Sequence, residues 1–203
     1  MAKHTMNRDI LRFFAALLLL APAACHQSPG TPPLAGARIG GPFVLTDQDG
    51  KRFDSKSLLG RYSVIYFGYT FCPDVCPTDL QKIGAGLRQF EGQDAARAAK
   101  VTPVFISVDP ARDTPAVLKQ YVSAFHPRMI GLTGTEAEVA AVAKAYVAPY
   151  KKEDPEPGAK GYLMQHSSVA ILFGPDGQPI VILPADTKGD PAEVARTLDT
   201  WVQ

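Results

Sequence analysis

Two cysteines placed where a strand hands over to a helix constrain this chain more than any other feature. Val64-Ile-Tyr-Phe67 is a short run of β-branched and aromatic residues, which reads as a strand ended by Gly68. Cys72 follows, then Pro73-Asp74-Val75, then Cys76 and Pro77. Proline suits the first position of a helix, so the pattern predicts a helix from Pro77 with Cys76 as the half-in residue before it. Leu80, Ile83, Leu87 and Phe90 recur at helical spacing and give that helix an apolar face. A helix N-terminus presents free N–H groups and partial positive charge, which favour thiolate over thiol. Cysteines four apart lie on one face of a turn, close enough to share a metal ion or, after a small adjustment, to form a disulfide. A polar, proline-bracketed loop is a poor place to bury both as inert apolar residues.

The rest of the chain supplies the frame. Phe43-Val-Leu-Thr46, Asp47-Gln-Asp-Gly50 and Arg52-Phe53 predict an N-terminal β-hairpin. A strand is expected over Val101–Val108, then a loop, then a helix capped by Thr114 with Pro115 at its first position and Leu118, Tyr121, Val122 and Phe125 as its apolar face. Ile130–Leu132 is a short strand. Thr135 and Glu138 form a capping box for a helix with Val139, Val142, Tyr146 and Val147 on one face. Lys151–Gly161 reads as a polar loop. Val169–Phe173 and Ile180–Leu183 flank the turn Gly174-Pro-Asp-Gly177 as a closing hairpin, and Asp190 opens a last helix. Alternating strands and helices imply a parallel sheet with helices on both faces, made mixed by the hairpin. Two cysteines after the first long strand of such a unit read as thioredoxin-like.

The first residues are a targeting segment rather than fold. Lys3, Arg8 and Arg12 precede the apolar run Phe13–Ala21, which is shorter than the ~20 residues of a spanning helix. Small residues directly before Cys25 predict a lipoprotein signal over residues 1–24, with Cys25 as the lipidated first mature residue; an ordinary cleaved signal and an uncleaved anchor are the alternatives. Residues 25–42, rich in Pro and Gly, read as a tether, and residues 43–203 as one domain. Export implies a compartment that permits disulfides. With Cys25 set apart, Cys72 and Cys76 are the cysteine pair of the folded part, and a bridge across so short a loop stabilises little. The pair is functional. A formal net charge of +1 excludes a nucleic-acid surface as the basis of function.

Ligand type narrows the chemistry. Asp74 lies between the thiols and Asp79 follows on the helix, where carboxylates oppose thiolate formation and favour a cation nearby. His166 lies at the mouth of the strand that opens the closing hairpin, on an edge that can face the cysteine loop; Met164, on the same strand face, reads as core packing, with a thioether donor as the alternative, and His126 reads as a helix-end residue. Two cysteines and a histidine suit zinc or copper. Soft thiolates select Cu(I), imidazole extends the site to Cu(II), and a structural zinc site normally holds four protein ligands, so three favour copper without deciding it.

The segments Tyr66-Phe-Gly-Tyr-Thr-Phe-Cys-Pro-Asp-Val-Cys-Pro77, Ser107-Val-Asp-Pro-Ala-Arg-Asp-Thr-Pro115, Tyr162-Leu-Met-Gln-His-Ser167 and Gly174–Gly177 resemble the Sco/SenC family of copper-handling proteins of cytochrome c oxidase assembly. The resemblance runs from about Gly41 to the C-terminus. It implies a thioredoxin-like fold, copper bound as Cu(I) and Cu(II) by Cys72, Cys76 and His166, and Asp109 near the site. It also implies a membrane-anchored domain facing the periplasm of a bacterial envelope, an upstream periplasmic copper donor, and delivery to the dinuclear copper centre of an oxidase subunit, with reduction of that subunit's cysteines as an alternative or added task. Gln165 stands where family members carry Asp before the ligand histidine, so the resemblance supplies no carboxylate partner for His166. The alternative is an exported thiol–disulfide oxidoreductase without obligatory metal, its dithiol Cys72 and Cys76 being redox-active and His166 dispensable. A peroxidase-like reductant is a third reading: Thr70 and Cys72 echo peroxiredoxins, but the expected upstream proline is absent.

Overall fold

The structure, a computed structural model, describes residues 30–155, 161–186 and 188–203; the expected signal segment and Cys25 lie outside the described residues. The elements are β1 (Val44–Asp47), β2 (Arg52–Asp54), β3 (Tyr62–Gly68), α1 (Val75–Gln93), α2 (Ala95–Ala98), β4 (Val101–Ser107), α3 (Pro115–Ser123), β5 (Ile130–Thr133), α4 (Glu136–Ala145), β6 (Tyr150–Lys152), β7 (Met164–His166), β8 (Ala170–Phe173), β9 (Pro179–Leu183) and α5 (Pro191–Trp201). Seven strands form one sheet in the order β2-β1-β5-β4-β3-β8-β9. β3, β4 and β5 run parallel, and antiparallel β1 and β8 join at the two sides. The expected mixed sheet is present, with the β1–β2 hairpin paired onto it through β5.

β3 lies at the centre and is buried along its whole length, as a strand covered on both faces requires. Its side chains alternate between two layers. On one face Tyr66 stacks on Phe105, which meets Tyr121 of α3, and Tyr66 hydroxyl reaches Asp79 of α1. Helix α5 packs against α1 on this side, Val194 sitting over Gly86. On the other face Phe67 meets Tyr146 at the end of α4, and Tyr146 touches Phe43 and Phe173. Helices therefore cover both faces.

Four local expectations are corrected. The cysteine helix starts at Val75, not Pro77, because Thr78 N–H already closes onto Asp74 carbonyl. Pro77 fits as the third helical residue, since the N–H it lacks would be unpaired in the first turn anyway. Tyr150–Lys152, with Lys151 and Lys152 expected in a loop, pairs with Met164–His166 as a separate two-stranded ribbon, so His166 belongs to that ribbon rather than to the closing hairpin. Val147 is not on the buried face: it lies beyond the helix end with φ 53° and is 61% exposed. Part of the expected tether is docked, Leu34 N–H bonding Ile180 carbonyl and Gly40 N–H bonding Ala145 carbonyl, because Leu34 and Ile39 bury apolar surface against the core.

Candidate metal centre

Three elements converge at the C-terminal end of β3. Cys72 comes from the loop after β3, Cys76 from the first turn of α1, and His166 from the end of β7. Their ligating atoms all lie within 4.8 Å of one another, and both cysteines are free thiols. His166 Nε2 is 3.1 Å from Cys76 Sγ. The site is recessed, Cys76 being 0% and Cys72 9% exposed.

The helix start explains the cysteine chemistry. Asp74 occupies the N-cap position but its side chain makes no capping bond. Cys72 Sγ takes that place, accepting from Cys76 N–H at 3.4 Å. The Cys76 side chain, together with His166 and the helix-terminal N–H pointed at the sulfur, outweighs burial and pulls the Cys72 thiol down to about 3. Cys76 moves the opposite way, because its S–H is held by the Cys72 thiolate and the group is buried. Burial pulls His166 down, but hydrogen bonding and the charge of Cys72 win and raise it.

Because the folded Cys72 value lies below that of an ordinary thiol, its thiolate and the stability it lends persist from above ~8.5 down through neutral pH, and are lost as pH falls through about 3. The expected pH–rate profile for alkylation of Cys72 by iodoacetamide, followed by mass spectrometry, is flat between pH 8 and 5. A rate that climbs tenfold per pH unit up to 8, as an unperturbed thiol gives, would contradict the geometry.

His166 is oriented without a carboxylate. Its Nδ1 donates to Ser167 carbonyl at 2.9 Å, which leaves the Nε2 lone pair facing the sulfurs. Tyr66 and Tyr69 stand edge-on to the ring at 6.4 and 5.7 Å. Gly68 makes room for Cys76: a Cβ at this position would lie 2.7 Å from Cys76 Sγ. Nothing in the sequence pattern marked Tyr66, Tyr69, Gly68 or the Ser167 carbonyl for these roles, although all lie in the motif segments.

The other sequence candidates fall outside this cluster. Asp109 is buried and spends its carboxylate on Arg112 Nε and on Tyr162 hydroxyl at 2.8 Å. Asp79 is buried and is not in the converging group; it accepts from Tyr66 hydroxyl at 2.9 Å, its Oδ1 has no partner among the described residues, and burial raises it. Asp74 is exposed at the start of α1. His126 is a buried residue past the end of α3, accepting Arg128 N–H at 3.2 Å, 3.3 Å from Glu91. Met164 is buried in the core.

A family model described as SCO1/SenC matches residues 31–203. The chain belongs to the SCO1/SenC family. Among its relatives, Protein SCO2, mitochondrial, of Saccharomyces cerevisiae is 44% identical over 140 residues, which is 69% of this chain and 46% of that protein. The chain spans about half the length of the curated relatives it matches first. The structure of Bradyrhizobium japonicum ScoI with copper bound is 45% identical with a TM-score of 0.71, covering 80% of this chain and 99% of that one. The copper-bound structure of Arabidopsis thaliana ScoI is 38% identical with a TM-score of 0.72, covering 80% and 97%. The Sco fold seen here is the thioredoxin-like one expected from the order of strands and helices.

Proposed function

We propose that this Sco/SenC protein is a membrane-anchored copper metallochaperone. In this reading Cys72, Cys76 and His166 hold copper and release it to the dinuclear copper centre of a cytochrome c oxidase subunit on the periplasmic side of a bacterial envelope. The observation that carries it is the convergence of two thiols and a histidine Nε2 within 4.8 Å, in a recess, with the imidazole tautomer already set for ligation. The donor set fits the metal: two thiolates satisfy Cu(I), and the added nitrogen suits Cu(II). Ligation requires both sulfurs as thiolates, so loading would release whatever proton the dithiol holds. Anchoring through Cys25 rests on the signal pattern; among the described residues no helix is long and apolar enough to cross a membrane.

The second reading, thiol–disulfide exchange, is favoured by one observation, Cys72 Sγ facing a helix-terminal N–H with a free partner thiol four residues on. It needs no metal ligand at His166. Chelator competition on three forms separates the two. The reduced parent binds Cu(I) and Cu(II); the Cys72–Cys76 disulfide form binds neither and regains both on reduction, since a disulfide offers no thiolate. His166→Ala lowers Cu(II) affinity at least ~10-fold, about 1.4 kcal/mol, and Cu(I) affinity less. In a host lacking the protein, His166→Ala fails to restore oxidase if copper delivery is the task, whereas thiol exchange would survive. Equal Cu(II) affinity of mutant and parent removes His166 from the site and leaves the oxidoreductase reading ahead.

A further inference from the structure

We infer that Arg112 is a positioning residue for this site, latching the ribbon that carries His166 to the loop that carries Cys72. The latch deepens the copper reading and rests on it for its consequence, but the latch itself exists without metal.

The ribbon needs one. β6 and β7 pair over three residues and form a sheet of their own, apart from the seven-stranded sheet. A lone two-stranded ribbon is marginally stable in water. Its backbone closes mainly on itself, with Glu153 N–H on Leu163 carbonyl and Ser167 N–H on Pro149 carbonyl. The imidazole can sit against the thiols only while something in the body of the domain holds β7 in place.

Arg112 is mounted rigidly enough to do so. It lies in the turn Asp109–Thr114, where the N–H groups of Arg112 and Asp113 both close onto Asp109 carbonyl at 3.2 and 3.0 Å. The buried Asp113 carboxylate bolts this turn to its surroundings. It accepts from Ser107 Oγ at the end of β4, and from Thr70 Oγ1 at 2.6 Å and Thr70 N–H at 3.0 Å, two residues before Cys72.

From that base the guanidinium reaches both ligand-bearing segments. Its carbon lies 3.7 Å from the centre of the Tyr162 ring, 4.8 Å from Phe71 and 5.7 Å from Tyr69. Its Nη1 donates to Tyr162 carbonyl at 2.9 Å, and its Nε pairs with Asp109, whose other oxygen takes Tyr162 hydroxyl at 2.8 Å. Tyr162, two residues before β7, is thus held at its backbone, ring face and hydroxyl by one turn. Phe71 precedes Cys72, and Tyr69 stands against the His166 ring. Among the described residues Arg112 Nη2 is buried without a partner, so the guanidinium lies in this aromatic setting at the cost of one donor. Only a planar cation can face a ring and donate from its edge at once, which lysine does not do.

The test uses the full chain with Arg112→Met and Arg112→Lys. Without metal, amide exchange in Met164–His166 should rise at least ~10-fold in both variants while β3 and β4 keep the parent's protection. The imidazole nitrogen resonances of His166 should shift from one tautomer towards an averaged mixture. With metal, Cu(II) affinity should fall at least ~10-fold with weakened nitrogen coupling in the electron paramagnetic resonance spectrum, and Cu(I) affinity should stay within ~3-fold. Unchanged exchange in β7, exchange accelerated equally in every strand, or full rescue by lysine would each overturn the latch. A parent that binds no copper would instead sink the copper reading, and the exchange measurements would still decide the latch.

Discussion

Gly68→Ala is expected to abolish tight Cu(I) binding while leaving a folded protein. The added methyl would sit 2.7 Å from Cys76 Sγ, 3.0 Å from Phe105 Cε2 and 3.1 Å from Tyr66 Cε1. Cysteine has a single rotatable bond to its sulfur, and Cys76 is fixed by the first turn of α1. The sulfur therefore leaves its place beside His166 Nε2, and the two aromatic rings, packed against each other, cannot yield instead. Loss of one of two thiolate ligands should lower Cu(I) affinity at least ~100-fold, about 2.7 kcal/mol, read by competition with a Cu(I) chelator. Overpacking of this kind costs ~1–3 kcal/mol of stability, which a domain of ordinary stability survives. A variant that kept parental Cu(I) affinity with native circular dichroism would show that Cys76 Sγ does not need the space the missing Cβ leaves.

Gly84→Ala should give the largest stability loss of any single methyl added to α1. Alanine normally improves a helix interior by ~0.5–1 kcal/mol over glycine. Here the Cβ would fall 2.3 Å from Phe125 carbonyl oxygen and 3.0 Å from its carbon, both backbone atoms in the segment after α3. Arg88 Nη1, one turn on in the same helix, donates to the same carbonyl, so the segment cannot retreat from α1 without breaking that bond. The clash outweighs the propensity gain, and a net loss of about 2 kcal/mol should lower Tm by roughly 4–8 °C in a chain of this size. Gly92→Ala, in the same helix with nothing within 4 Å of the new methyl, should instead raise stability by up to ~1 kcal/mol. Thermal melts of the two variants decide it: shifts of the same sign would refute the close approach of α1 to Phe125.

Local chemistry made the architecture legible. The strand β3, the helix α1 with its buried Leu80, Ile83, Leu87 and Phe90, and the capping box of Thr135 and Glu138 all follow from side-chain periodicity and near-neighbour hydrogen bonds. The pairing of Cys72 with Cys76 followed as well, because four residues at a helix start are neighbours in any fold. Boundaries went astray where local rules compete. Pro77 is compatible with the first or the third helical position, and Thr78 N–H closing on Asp74 carbonyl is what places it at the third.

What the chain alone could not specify is the meeting of segments far apart in it. His166 was a candidate, yet its approach to Cys76 depends on the β6–β7 ribbon, whose partner strand looked like a polar loop. Short strands carry little periodic signal, and this ribbon is tied to the domain by the buried Met164 and by the contacts of Tyr162 with Asp109 and Arg112. The partner of Nδ1 is a backbone carbonyl, which every residue possesses, so no residue type could have announced it. The emptiness beside Cys76 is likewise a property of packing: Gly68 reads as the end of a strand in one dimension and as room for a sulfur in three. Residue types thus determined which chemistry the chain can perform, and long-range packing decided which atoms face one another to perform it.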